Sequence, residues 1–402
     1  MGYDGPLALG ATLGKEFSYY LPTEVVYGTG VVDRLGKRVC NLGKRALVVT
    51  GRSTMRRLAI LDRVVGTLTD DGIQVSVFDQ VESDPSTETV DRGAMVCRKH
   101  KAEFVIGLGG GSAIDAAKGI AVAASNGGHG VWDFIIGGSP GSEVLGPGTL
   151  PIVAIPTTSG TGTEVTTGAV LRHRGLGAKE CIGSRHIAPV LALVDPCLAR
   201  SMPPSLTGAT GLDALAQCIE ACASSRSNAI SDTLALRGVG LIASHLVRAV
   251  KDGDDLAARA GMALGATLSG MALCQAGVGA AHAISMVLGG RYGVQHGIGV
   301  GMFLAGTMRM NAAASPHKYV QVAAALGESV AALPTEEAAG LAVSSIQSLV
   351  AEVGLSVHLS ELGVPREELR EVAEAAVRHP DMASNPVSLT VEDVEELLEA
   401  AY

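Results

Sequence analysis

Between residues 45 and 195 the chain repeats one pattern, a short β-branched apolar run followed by a longer amphipathic stretch. The runs are "RALVVTG" (45–51), "QVSVFD" (74–79), "AEFVIGLG" (102–109), "PIVAIPT" (151–157) and "APVLALVD" (188–195). Continuous apolar runs of this length fit strands buried on both faces, and the helical segments between the first four fit the crossovers of a parallel sheet. After Asp195-Pro196 the period changes. "MPPSLTGAT" is a Pro/Gly break, and beyond it helical spacing continues with almost no strand-like run. At 402 residues the chain exceeds what one core usually supports. The sequence therefore predicts an α/β domain with a parallel sheet over residues 1–197 and an all-helical domain over 198–402.

Composition narrows the function. A formal charge of −9 with no basic stripe argues against nucleic acid, and a single Trp with five Phe argues against base-stacking platforms. Seven cysteines without a CxxC pair suit a reduced, cytoplasmic protein, and Cys218 and Cys222 read as small buried side chains. The N-terminus shows no basic-then-apolar export signal. Residues 260–290 carry no charged side chain, but their Gly, Ala and Ser content with Gln275 and His282 fits two buried helices, and no membrane partner is expected. The tail "LTVEDVEELLEAAY" reads as an amphipathic helix capped by Thr390.

Three polar clusters stand out. In "VIGLGGGSAIDAAKGI" a strand runs into Gly109, Gly110 and Gly111, and Ser112 with Asp115 resembles a helix cap. Glycines admit close approach of an anion, and the first N–H groups of a helix attract it; a ligand-free turn is the alternative. The spacing is neither the dinucleotide fingerprint nor a Walker loop. "PTTSGTGTEVT" sets the hydroxyls of Thr157, Thr158, Ser159, Thr161 and Thr163 after the next strand, at the edge where open α/β sheets bind ligands. In "GLDALAQCIEA" Asp213 and Gln217 share one helix face, as a core hydrogen-bond pair or as half of a metal site. His282 and His296 flank a Gly-Gly turn further on, and imidazole with carboxylate suits Zn²⁺ or Fe²⁺.

Taken in order, "GGGSAIDAAK", "PTTSGTGTEVT", "GLDALAQCIEA" and "HAISMVLGGRYGVQHG" resemble the iron-containing (group III) alcohol dehydrogenase family, over nearly the whole chain from "TEVVYGTGVVDRLG" to "NPVSLTVEDVEELLEAAY". The resemblance implies a dinucleotide-binding α/β domain, a helical metal and substrate domain of the dehydroquinate synthase-like type, and a homodimer. It implies an NADP- or NAD-dependent oxidoreductase that interconverts an alcohol and an aldehyde or ketone, with Asp213, His282 and His296 as metal ligands and catalytic residues. Two positions depart from the family pattern. Gln217 stands where a histidine ligand is usual, and Met286 replaces a histidine linked to proton transfer. A metal-free reductase of the maleylacetate reductase type, or a non-catalytic nucleotide-binding homologue, is the alternative. Dehydroquinate-synthase-type cyclases share the layout, but "GLDAL" and "PTTSGTGTE" favour the dehydrogenases.

Gly51 and Arg52 follow the first predicted strand, where the family commonly has an acid near the adenosine ribose. That exchange leans towards NADP over NAD. Arg291, expected in the turn between the two histidines, reads either as a reader of an anionic substrate or as a solvated arginine.

Overall fold

The computed structural model describes residues 16–402 apart from 127–128, 137–140, 142–143 and 176–177, so the expectation about an export signal falls outside the described residues. The chain forms two compact units, Leu21–Ser201 and Met202–Tyr402, the second joined by the N-terminal residues up to Tyr20. Residues 16–20 therefore group with the helical unit, whereas the sequence placed them in the α/β domain. The Gln275 side chain holds them there, donating to the Tyr20 carbonyl at 2.8 Å.

The α/β unit contains a parallel sheet of β1 (Glu24–Tyr27), β2 (Arg45–Gly51), β3 (Gln74–Val81), β4 (Phe104–Gly109), β5 (Ile152–Pro156) and β8 (Leu191–Val194), in the order β1-β8-β5-β4-β2-β3. Helices α1 (Leu35–Val39), α2 (Thr54–Arg57), α3 (Ile60–Asp70), α4 (Thr87–His100) and α5 (Gly111–Ser125) lie between strands. Every residue of β4 and β5 is buried, which is why both read as unbroken apolar runs. Alternate side chains divide between two cores. Leu47, Val49 and Val105 pack with Val90 and Ile120 of α4 and α5, while Ala46, Val48 and Ile106 pack with Leu61 and Val64 of α3. The direction of winding reverses between β2 and β4, so Gly51 and Gly109 end the two strands that flank this switch point.

Two elements escaped the sequence reading. β1 has only four residues and forms the parallel edge beside β8. β6 (Gly168–His173) and β7 (Ala178–Gly183) form a separate antiparallel pair, whose Ala169, Leu171 and Ile182 cover the core over α5.

The helical unit comprises α6 (Pro204–Ala223), α7 (Ala229–Lys251), α8 (Leu256–Ala276), α9 (Ala280–Tyr292), α10 (His296–Ala312), α11 (Pro316–Leu326), α12 (Thr335–Glu352), α13 (Leu369–Val377) and α14 (Val391–Ala400). The uncharged stretch 260–290 is indeed two helices, interrupted at Gly277, whose φ of +76° ends α8. Thr390 caps α14 as expected, with Asp393 completing a reciprocal capping box. Small residues bring the helices close together. A Cβ on Gly297 of α10 would lie 2.1 Å from the Ala209 carbonyl oxygen of α6, and one on Gly301 would lie 2.8 Å from the Leu212 side chain.

Candidate functional site

Asp213 lies midway along α6, an apolar helix whose side chains are buried nearly throughout. His282 stands in the first turn of α9 and His296 is the first residue of α10. The three converge. Asp213 Oδ1 is 3.4 Å from His282 Nε2 and 3.6 Å from His296 Nε2, and the three donor atoms lie within 4.8 Å of one another. Asp213 and His282 are 3% and 5% exposed, while the His296 side chain keeps 29% of its surface, so the cluster opens on the His296 side.

What aims the rings lies behind them. Glu220, two turns along α6 from Asp213, accepts the N–H groups of Gly279 (2.9 Å) and Ala281 (2.8 Å) at the start of α9. These are donors a helix leaves unpaired at its N-terminus, where negative charge is favoured. The same carboxylate bonds His282 Nδ1, which turns Nε2 towards Asp213. Ser285 Oγ donates to the His296 carbonyl (2.9 Å) and lies 3.1 Å from His296 Nδ1. Ser285 thus holds the Nδ1 edge of the His296 ring and leaves Nε2 turned towards Asp213. Such outer partners are what orient metal-binding imidazoles. Neither Glu220 nor Ser285 was singled out from the sequence, although Glu220 ends the same i, i+4, i+7 face as Asp213 and Gln217.

Burial opposes a charge on His282, but the pull of the Glu220 carboxylate, the ring's hydrogen bond to it and the neighbouring Asp213 charge outweigh it and push its pKa up to about 10. Asp213 is held below its ordinary value: burial raises it, and the adjacent His282 and His296 rings more than compensate. Even so, Asp213 Oδ1 and His282 Nε2 are buried with no hydrogen-bond partner. Two such atoms facing one another are costly unless something satisfies both. A tetrahedral site with bonds of about 2.0–2.1 Å sets its donors about 3.3 Å apart. The residues present therefore fit a divalent ion, and His, His and Asp are a donor set taken by Zn²⁺ or Fe²⁺.

Gln217 is 5% exposed, and its carbonyl accepts the Ser269 hydroxyl at 2.7 Å. Cys218 and Cys222 are free and fully buried, and desolvation pushes the Cys222 thiol up to about 12, as expected of side chains that fill space. Arg291 belongs to the last turn of α9 rather than to a loop, 3.7 Å from Glu371, an exposed ion pair of little energetic weight.

In the α/β unit the two predicted loops lie side by side. Thr157 N–H donates to the Gly109 carbonyl at 2.9 Å. A Cβ on Gly110 would be 3.0 Å from Thr158, and one on Gly111 2.7 Å from Thr161, so only glycine lets the strands' ends approach this closely. Gly110 caps α5, so Ser112 sits inside the helix and is no cap; its hydroxyl accepts the Asp84 N–H at 3.2 Å. Asp115 turns away from the helix end, accepting the Thr163 hydroxyl (2.5 Å) and the Val170 N–H (3.0 Å). Its carboxyl is raised, chiefly by desolvation, with Lys118 opposing. Lys118, not singled out from the sequence, is wholly buried. Its ammonium donates to the carbonyls of Thr163, Thr166 and Gly168 at 2.7, 3.0 and 2.7 Å and to the hydroxyls of Thr163 and Thr166 at 2.9 and 3.1 Å. Gly51 ends β2, and Arg52 beyond it is exposed.

An α/β unit with a glycine turn at its switch point and a helical unit carrying an Asp/His/His cluster are the layout shared by iron-containing alcohol dehydrogenases and dehydroquinate-synthase-type cyclases. The family follows from the whole chain. Residues 22–196 match the iron-containing alcohol dehydrogenases, and residues 207–402 match the Fe-containing alcohol dehydrogenase family, C-terminal. The chain belongs to the iron-containing alcohol dehydrogenase family. It is 35% identical over 392 residues to a 1,3-propanediol dehydrogenase of Citrobacter freundii, covering 96% of this chain and 99% of that one. It is 32% identical to an NAD-dependent methanol dehydrogenase of Bacillus methanolicus, with 96% and 99% covered. A crystal structure of a 1,3-propanediol oxidoreductase superposes with a TM-score of 0.92 at 34% identity, over 96% of this chain and 100% of that one.

Proposed function

We propose that the protein interconverts a small neutral alcohol and its aldehyde or ketone, using NADP(H) or NAD(H), with Asp213, His282 and His296 around a divalent ion, Fe²⁺ or Zn²⁺. The observation that carries this reading is the pair of buried, unpartnered donor atoms, Asp213 Oδ1 and His282 Nε2. A site evolved to polarise a carbonyl with side chains alone has no reason to leave both unsatisfied, which weighs against the metal-free alternative. When bound, the ion supplies Lewis acidity towards the substrate oxygen, and the nicotinamide supplies or takes the hydride.

The protein's own part is positioning. Glu220 and Ser285 fix the rings, and the open side of His296 leaves room for a substrate oxygen. Gly109, Gly110, Gly111 and Ser112 offer backbone N–H groups at the start of α5 to the dinucleotide's phosphates, with Thr157, Thr158, Ser159 and Thr161 alongside. Asp115 and Thr163 brace this loop rather than touch the cofactor, because their polar atoms are engaged with one another and with Lys118. With no carboxylate at Gly51 and an exposed Arg52, NADP is preferred over NAD. Arg291 is paired with Glu371, so it lends no support to an anionic substrate. Seven free cysteines suit the cytoplasm, and a homodimer is the assembly proposed.

The test is oxidation of NADPH or NADH by a panel of short aldehydes, with protein as isolated, chelated, and resupplied with Fe²⁺ or Zn²⁺. Turnover should vanish on chelation and return with metal. Turnover that survives complete metal removal would overturn the metal reading in favour of the metal-free branch. Silence with every aldehyde, metal and cofactor would leave a nucleotide-binding homologue.

A further inference from the structure

The residue that departs from the family's ligand set is buried in the middle of the cluster, and its hydrogen bonds assign it a different task. Gln217 lies one helical turn after Asp213 on the same face of α6. Its carbonyl oxygen accepts from Ser269 Oγ of α8 at 2.7 Å, and Ser269 is itself fully buried. A hydrogen bond from Gln217 is also among the influences that hold the Asp213 carboxyl below its ordinary value. We infer that Gln217 is a positioning residue, holding Asp213 towards His282 and His296 through its amide N–H while Ser269 keeps its carbonyl turned away, and is not a fourth ligand. The inference rests on the reading that a divalent ion binds Asp213, His282 and His296.

The opposite orientation of the amide is the one that would make Gln217 a ligand. Reversed, the nitrogen would donate to Ser269, whose hydroxyl would pass its proton to the Ala266 carbonyl at 2.7 Å, so Ser269 is satisfied either way. The reversed carbonyl oxygen, however, would face the buried Asp213 carboxylate. With no ion between them, two buried acceptors opposed to one another forfeit a hydrogen bond to a charged group, the stronger kind. Only that disfavoured orientation would present the Gln217 oxygen as a ligand. A neutral donor behind the carboxylate fixes the ligand's direction and would leave a coordination position of a bound ion open for substrate.

Co²⁺ titration followed by visible absorption, with competition against a chromogenic chelator, tests this on the full-length protein. Wild type should bind one Co²⁺ per chain; failure at that step removes the metal reading and the inference with it. Gln217→Leu should bind Co²⁺ about 10–100-fold more weakly with the same d–d bands, since ligand direction is loosened but no ligand is lost. A changed band envelope in Gln217→Leu would make Gln217 a ligand, and an unchanged affinity would show that it does not hold Asp213. Either result overturns the inference while leaving the metal reading intact. Ser269→Ala, which cannot reach the ion, is the second variant: a several-fold weaker affinity with unchanged bands is expected, and wild-type affinity there would also overturn it.

Discussion

Replacing Lys118 with Met keeps a side chain of similar length and removes the ammonium from the base of the threonine loop. In the native protein that ammonium serves three carbonyls and two hydroxyls in a place that admits no water. The Thr163 hydroxyl can still donate to Asp115, and the Thr166 hydroxyl already lies 3.4 Å from the Thr163 carbonyl. The carbonyls of Thr166 and Gly168 are left with the poorest compensation, each unmet acceptor costing about 1–3 kcal/mol. Relief from burying a cation offsets part of this, and removing one partner of a buried charged network typically costs about 3–5 kcal/mol. The single tryptophan, Trp132, belongs to the same unit, so its fluorescence in a urea titration reports this loss directly. The loop should also lose its shape for the dinucleotide, weakening NADPH binding by about tenfold or more, which corresponds to about 1.4 kcal/mol. Metal affinity, a property of the helical unit, should not move. A Trp132 transition within about 1 kcal/mol of wild type, below the cost of one unmet acceptor, together with unchanged NADPH affinity, would refute the bracing argument.

Two further outcomes follow from charges described above. Glu220→Gln keeps the shape but places an amide against the Gly279 and Ala281 N–H groups and loosens His282; chelator competition should show Zn²⁺ bound about 10–100-fold more weakly, with dinucleotide affinity unaltered. Glu82 has its pKa lowered from 4.5 to about 2: burial raises it, but hydrogen bonds from the Ser86 hydroxyl, its own backbone N–H and the Thr89 hydroxyl prevail. A depressed folded-state pKa contributes stability that is present above the unfolded value and lost as pH falls through the folded one. The stability gap between wild type and Glu82→Gln, measured by urea unfolding, should therefore be full above about pH 5 and close between 4.5 and 2; a gap that stays constant across that window would contradict it.

The parallel strands were legible because burial on both faces writes itself as an unbroken apolar run. β1 was not, being four residues long and only partly covered, and neither was the β6–β7 pair, because burial along β6 alternates. Asp213, His282 and His296 could be proposed because carboxylate and imidazole are conspicuous in an uncharged helical stretch, and the order of motifs joined them. Their supporting residues leave no such mark. Glu220 acts on backbone N–H groups 59 and 61 residues away, which no local pattern encodes. Ser112 and Asp115 mimic a helix cap in sequence, but the helix begins one residue before Ser112, and the carboxylate answers to Thr163 instead. Lys118 resembles an ordinary surface lysine on a helix until the loop that folds over it is in place.

His296 reaches Asp213 because the first turn of α10 rests almost directly on the main chain of α6 at Ala209, with Gly297 leaving nothing in between. A single methyl there would act as a wedge, prising one imidazole from the cluster without altering any donor. The identity of an inner polar side chain such as Gln217 can change while this contact keeps the rings in reach. For the cluster as a whole, the hydrogen at Gly297 is the less replaceable part.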